Sequence, residues 1–148
     1  MRLALLTFVA AIGSICSVAT LQAQASAPDT LPAAVVQRFV DGANSRMLDS
    51  MMATVAQEAV FGSLPDNGML ATGRDSVRAY YARVLGGLPA GYTIRVASRI
   101  TDGAFVTDLE LFANADGTPD GRATWVYYVT GGQIQRAWVL RQSRATRP

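Results

Sequence analysis

Few side chains in this chain could carry chemistry, and their types exclude more reactions than they suggest. There is no histidine anywhere. That removes histidine general bases, Ser-His-Asp triads and most zinc sites. The single cysteine, Cys16, lies in an N-terminal apolar run. If that run is cleaved, the mature chain has neither disulfide nor thiol chemistry. Ser63 follows a short strand pattern, but a serine hydroxyl takes no proton at neutral pH without a neighbouring base. Its natural role is a hydrogen bond at a pocket wall. Tyr81 carries a hydroxyl that needs a partner if buried. Two readings stand: a ligand oxygen in a pocket, or a backbone group in the core. Asp108-Leu109-Glu110 places two carboxyls mid-strand. Alternation groups Phe105, Thr107, Leu109 and Leu111 on one apolar face, expected to be the inner one. Asp108 and Glu110 then face outward and pair with Arg95 or Arg99 on the neighbouring strand. Gly73-Arg74-Asp75, Gly86-Gly87 and Gly131-Gly132 are explained by turns and helix caps, not phosphate loops. No dense carboxylate cluster is present, so no metal and no cofactor are expected.

These residues need elements to position them. Thr30 is placed to cap a first helix, with Pro32 in its opening turn. Val35, Val36, Phe39, Val40 and Ala43 recur at helical spacing, and Asn44-Ser45-Arg46 ends the run. A short second helix carries Leu48, Met51, Met52 and Val55, with methionines as adaptable core filler. Ala59 to Ser63 reads as a short strand, and Leu64 to Gly68 as a turn-rich loop. Thr72, with Asp75 three residues on, predicts a capping box for a third helix. Val77, Tyr80, Tyr81, Val84 and Leu85 form its apolar face, and Gly86-Gly87 ends it. Four strands follow: Tyr92–Thr101, Phe105–Ala113, Arg122–Thr130 and Gln133–Arg141. Asp102-Gly103 and Gly131-Gly132 supply hairpin turns. Helices first and strands last predict an α+β domain in which an antiparallel, curved sheet wraps over three N-terminal helices. On Arg122–Thr130, Ala123, Trp125, Tyr127 and Val129 share one face. On the last strand two alternations compete, Ile134-Arg136-Trp138-Leu140 against Gln135-Ala137-Val139-Arg141.

The chain has 148 residues, half of them hydrophobic, which suits one domain with a sizeable core. Residues 1–25 read as a signal peptide: Arg2, an apolar run from Leu3 to Leu21, and Ala23-Gln24-Ala25 as a small-x-small cleavage site. The alternative is a retained anchor, since about 19 apolar residues can just span a bilayer. Residues 26–32 form a linker, 33–141 the domain and 142–148 a basic tail. All 13 basic residues are arginine, set against 11 acids, so loss of Arg2 leaves a mature charge of +1. No broad basic face with interleaved aromatics is present, so no nucleic-acid partner is expected. Apolar residues on both faces of several strands predict a patch that a second copy covers, making a homodimer through the sheet.

The order and spacing of Ala34–Val40, Glu58–Ser63 and Gly73–Tyr81 resembles the ketosteroid isomerases and their wider SnoaL-like, nuclear-transport-factor-2-like superfamily. The resemblance covers about Ala33 to Leu140 and implies their cone-shaped fold. In the isomerases a base carboxylate, an oxyanion tyrosine and a protonated aspartic acid do the chemistry. The matching positions here are Ser63, Phe39 and Trp125, so the isomerase triad is replaced. Tyr81 matches a tyrosine that in the isomerases bonds the oxyanion tyrosine. Many SnoaL-like relatives carry an Asp-His-Glu run where this chain has Asp108-Leu109-Glu110. The epoxide hydrolases of the superfamily use an Asp-Arg-Asp set, and Arg99 with Asp102 matches it poorly because Asp102 belongs to a turn.

The leading expectation is an exported protein, periplasmic or secreted and off the membrane once its signal is cleaved. It binds a small, largely apolar molecule with one or two oxygens. Phe39, Phe61, Leu109, Trp125 and Tyr127 are its expected pocket walls, and Ser63 and Tyr81 its polar points. No catalytic residue is assigned. The alternatives are an isomerase, cyclase or dehydratase on the same fold, marked by a buried carboxyl facing the pocket, and an association domain, marked by a filled interior.

Overall fold

A computed structural model describes residues 30–64 and 66–144. The signal segment, Cys16, most of the linker and the last four residues lie outside the described residues. The elements run α1 (Pro32–Asn44), α2 (Leu48–Ala53), β1 (Val55–Ser63), β2 (Gly68–Thr72), α3 (Arg74–Gly86), β3 (Thr93–Asp102), β4 (Phe105–Ala113), β5 (Pro119–Thr130) and β6 (Gln133–Arg144). One six-stranded sheet has the order β2-β1-β6-β5-β4-β3. Only the β1–β6 pairing is parallel. The result is the α+β architecture read from the sequence: a curved, open, mainly antiparallel sheet over three helices.

The helices follow from their apolar spacing. Val35, Val36, Phe39, Val40 and Ala43 are the buried stripe of α1, as the periodicity predicts. Neither expected side-chain cap forms. Leu31 caps α1 and Gly73 caps α3, each without a side-chain hydrogen bond. Gly73 has φ of 82°, which a β-carbon would strain, and its N–H donates to the Ala59 carbonyl at 2.8 Å. That bond turns the chain from β2 into α3. β2 itself is a finding, because the sequence reads its residues as loop and helix cap. It pairs with β1 from Val60↔Thr72 to Ser63↔Gly68.

Two contacts tie the helices to the sheet near its open end. The Asn44 side chain donates to the Ile94 carbonyl at 2.9 Å and accepts from the Ile94 N–H at 2.7 Å, acting as one more rung on β3. Arg46, in the left-handed region at φ 56°, donates to the Leu85 carbonyl at 3.2 Å and to the Leu88 and Pro89 carbonyls. It thereby fixes the turn from α3 into β3.

Bulges set the curvature and, with it, the facing of each strand. β3 slips between Val96 and Ser98, so Ile94 and Val96 share the face of Arg99, while Ser98 and Ile100 point the other way. β4 pairs Val106 with Tyr127, Asp108 with Trp125 and Glu110 with Ala123. The inner face of β4 is therefore Val106, Asp108 and Glu110, not the expected Phe105, Thr107, Leu109 and Leu111. Asp108 is fully buried, Glu110 is 4% exposed and Phe105 is 46% exposed. β6 resolves its two competing alternations by using both. Ile134 faces in, and after a slip opposite Tyr128 and Val129 so do Ala137 and Val139. The strand continues to Arg144, three residues further than the sequence suggests.

The core lies between the helices and this inner face. Phe39, Phe61, Tyr81 and Tyr127 form its aromatic centre, with the Phe39 and Tyr81 rings edge-to-face at 5.2 Å. Complete burial of a ring such as Phe61 contributes about 2–3 kcal/mol.

Candidate functional site

Above the aromatic centre the core is not filled. A cavity of about 360 Å³ opens between α1, α3 and the inner face of the sheet. Phe39 and Val40 line it from α1, and Tyr80, Tyr81, Val84 and Leu85 from α3. The sheet contributes Ile94, Glu110, Phe112, Asp120, Trp125, Tyr127, Gln142 and Ser143. Most of the wall is apolar or aromatic, as small-molecule sites are.

Four of the seven residues expected at the site meet on this wall: Phe39, Tyr81, Trp125 and Tyr127. Three do not. Phe61 is fully buried behind the wall, against the rings of Phe39 and Tyr81. Ser63 lies at the far end of β1, where its hydroxyl donates to Asp66 Oδ2 at 3.1 Å. Leu109 sits on the opposite face of the sheet beside Thr124 and Leu140, because the parity of β4 is inverted.

The same inversion brings in what the sequence reading places outside. Glu110 reaches the cavity from β4, and the Tyr127 hydroxyl donates to its Oε1 at 3.0 Å. Oε2 has no protein partner among the described residues. No buried side-chain polar atom is left unsatisfied, so Oε2 is open to the cavity. Burial pushes the Glu110 carboxyl up to about 7, and the Asp108 carboxylate adds to that. The bond from Tyr127 and the Arg99 guanidinium oppose it. A carboxyl at this value exchanges its proton readily at neutral pH.

Tyr81 supplies the complementary group. Its hydroxyl is bonded to no described residue, yet the side chain lines the cavity. Burial, then the nearby Glu110 and Tyr80, holds its proton well above the ordinary tyrosine range. Tyr127 is shifted the same way, first by burial and then by Glu110. Both tyrosines remain hydrogen-bond donors at any physiological pH.

Asp108 does pair with Arg99, as expected from its cross-strand position, but inside the molecule. Arg99 Nε meets Oδ1 at 2.7 Å and its Nη2 meets Oδ2 at 2.6 Å, a bidentate fork. Arg99 takes this partner rather than Asp102, which is exposed at the end of β3. At the cavity wall Asp120 accepts from the Tyr92 hydroxyl at 3.0 Å. Among the described residues no group of three or more His, Cys, Asp or Glu side chains could hold a metal ion.

One sequence signal could have located Glu110. The Asp102-Gly103 hairpin sets Arg99 directly opposite Asp108. An arginine there gives the face that carries Asp108 and Glu110 a built-in counter-charge, which an inward face requires.

The fold and the site agree with what the chain is similar to. A SnoaL-like domain profile matches residues 36–137, and the chain belongs to that family. No curated protein matches it. Among solved structures, a cystatin-fold protein of Novosphingobium aromaticivorans superposes with a TM-score of 0.65 at 15% identity, over 74% of this chain and 97% of that one. A candidate ketosteroid isomerase of Kribbella flavida gives a TM-score of 0.59 at 18% identity, over 79% and 81%. A candidate polyketide cyclase of Sinorhizobium meliloti gives 0.59 at 17%, over 71% and 92%. At such identities the likeness is one of fold.

Proposed function

We propose that this chain is an acid–base enzyme that moves a proton on a small, largely apolar carbonyl compound. The observation that carries this reading is Glu110: a carboxyl on the cavity wall with one oxygen held by Tyr127 and the other open. The sequence alone favours a binding protein without turnover, and this carboxyl favours turnover instead.

In the reaction, ionised Glu110 Oε2 takes a proton from the carbon next to the carbonyl. The C–H electron pair becomes the C=C of an enolate, and negative charge moves to the carbonyl oxygen. The Tyr81 hydroxyl donates to that oxygen as charge grows on it. Protonated Glu110 then returns the proton to another carbon, which is an isomerisation. Tyr127 holds Oε1 throughout. The pairing of a carboxylate base with a buried donor is the logic of the ketosteroid isomerases, assembled here from different positions. The apolar wall accepts the rest of the substrate and excludes water from the reacting atoms.

The chain is further proposed to be exported, on the pattern of residues 1–25. It is proposed to form a homodimer through the outer face of its sheet, where Ile100 and Phe105 stand exposed.

The test is exchange of solvent deuterium into a panel of small cyclic and aromatic ketones, read by mass spectrometry. Wild-type protein should catalyse exchange into at least one member. Glu110→Gln should abolish it, by about 10³-fold or more, while still binding that ketone. Exchange that survives the substitution overturns the reading.

A further inference from the structure

Glu110 is not held by Tyr127 alone. Two residues before it on the same inward face is Asp108, fully buried and bound at both oxygens by Arg99. The remaining arm of that guanidinium reaches α1, where Nη1 donates to the Ala33 carbonyl and to Gln37 Oε1, each at 3.0 Å. Arg99 thus joins β3, β4 and α1 at one point. The next turn of α1 carries Phe39, whose ring packs at 6.2 Å against the ring of Tyr127. Tyr127 in turn donates to Glu110. A path of direct contacts therefore runs from the ion pair through α1 and two rings to the reacting carboxyl. A second path runs along β4 itself.

We propose that the Arg99–Asp108 pair is the positioning element of the acid–base site, holding Glu110 at the cavity wall and balancing the charge its carboxyl feels. The proposal rests on Glu110 being the proton carrier. As a unit the pair is neutral, so Glu110 faces little net charge from it. Either partner alone leaves a buried charge about 7 Å along the strand from Glu110. The other titratable groups facing Glu110 or its cavity are Tyr127 and Asp120 from β5 and Tyr80 and Tyr81 from α3. α1 presents only Phe39 and Val40 there, with Ala43 beyond them, and β6 presents Gln142 and Ser143. No basic side chain among the described residues lines the cavity. Arg99 is thus the described cation that acts on Glu110, and Asp108 is the group that balances it.

The experiment needs no substrate. Glu58 and Glu110 are the only glutamates in the chain, so labelling glutamate with ¹³C at the carboxyl gives two signals. Loss of one in Glu110→Gln assigns the other. Asp108→Asn leaves Arg99 uncompensated, favours the ionised carboxyl, and should lower the Glu110 midpoint by about one pH unit. Arg99→Gln leaves Asp108 uncompensated and should raise it by a similar amount. The double variant removes both charges and should return the midpoint to within about 0.3 units of wild type. Its exchange rate should still fall about tenfold at unchanged KM, because the clamp on α1 is gone.

A merely structural pair would not move the midpoint in opposite directions. Midpoints that stay put in folded Asp108→Asn and Arg99→Gln overturn the proposal. If neither single variant folds, the double variant decides, and wild-type turnover in it overturns the proposal. Failure of the functional reading looks different: exchange would survive in Glu110→Gln, whatever the midpoints do.

Discussion

Glu110 makes stability and activity answer to the same proton. Its carboxyl stands at about 7 in the folded chain against an ordinary 4.5, so the folded state holds the proton more tightly than the unfolded state. The stabilisation from keeping that proton is complete below the ordinary value and is lost as pH rises to about 7. The difference amounts to about 3 kcal/mol as an upper figure. Glu110→Gln cannot ionise and still accepts from Tyr127. It should match wild type in urea melts near pH 4.5 and exceed it by up to that amount at pH 8. Equal pH dependence in the two proteins would contradict the buried, open carboxyl. Catalysis runs the other way, because the base must be ionised, so kcat/KM should rise through the same region and level off above it. Tyr81→Phe separates the two effects. Its hydroxyl bonds no described residue, so stability should change by less than about 0.5 kcal/mol. The exchange rate should fall about 10²-fold as the donor to the developing oxyanion is lost. A large loss of stability with little loss of rate would make Tyr81 a core residue, the other reading the sequence leaves open.

Among the elements, α1 carries the greatest burden of positioning. It presents Phe39 to the cavity, accepts Arg99 at its first turn and holds β3 through Asn44 at its last. Its close approach to α2 depends on Gly42. A β-carbon there would lie 2.7 Å from Met51 Cγ and 3.0 Å from the Met51 backbone nitrogen. The methionine side chain can yield but the backbone cannot. Gly42→Val should therefore destabilise the chain by about 1–3 kcal/mol in chemical denaturation, and Gly42→Ala by less. If Gly42→Val is neutral, the helices are not packed as tightly as this geometry states. The turn after α3 offers an independent check. Arg46→Met keeps the bulk of the stem and removes three bonds to the Leu85, Leu88 and Pro89 carbonyls. Hydrogen exchange should accelerate at the start of β3 and leave β5 and β6 protected.

For the molecule as a whole, the open question is what covers the outer face of the sheet. Phe105 and Tyr128 stack there at 5.0 Å, beside Ile100, and Leu109 and Leu140 continue the surface. Ile100 is 66% exposed and Leu140 38% exposed. A second copy burying this face would remove an apolar surface that monomers rarely leave open. Light scattering on the mature chain should give twice the monomer mass. Ile100→Arg with Phe105→Arg should return it to the monomer without altering the Glu110 titration. A wild-type monomer at micromolar concentration would rule out the dimer.

Local spacing determined much of this protein. The apolar stripe of α1, the extents of the helices, the hairpin at Asp102-Gly103, the inward set of β5 and the family resemblance all follow from neighbours in the chain. So did four of the cavity residues: Phe39 and Tyr81 by helical position, Trp125 and Tyr127 by alternation. Only the tertiary structure decided the facing of β3, β4 and β6. A single bulged residue inverts everything after it, and a bulge arises from how curved strands fit a neighbour rather than from the strand's own sequence. Apolar counting on β4 chose the face of Leu109. It missed that Arg99 and Tyr127, on two other strands, supply the partners that let Asp108 and Glu110 be buried. Local pattern measures the preference of each side chain for water, whereas compensation of a buried charge depends on groups distant in sequence and near in space. The site of this chain lies where that second rule overrides the first.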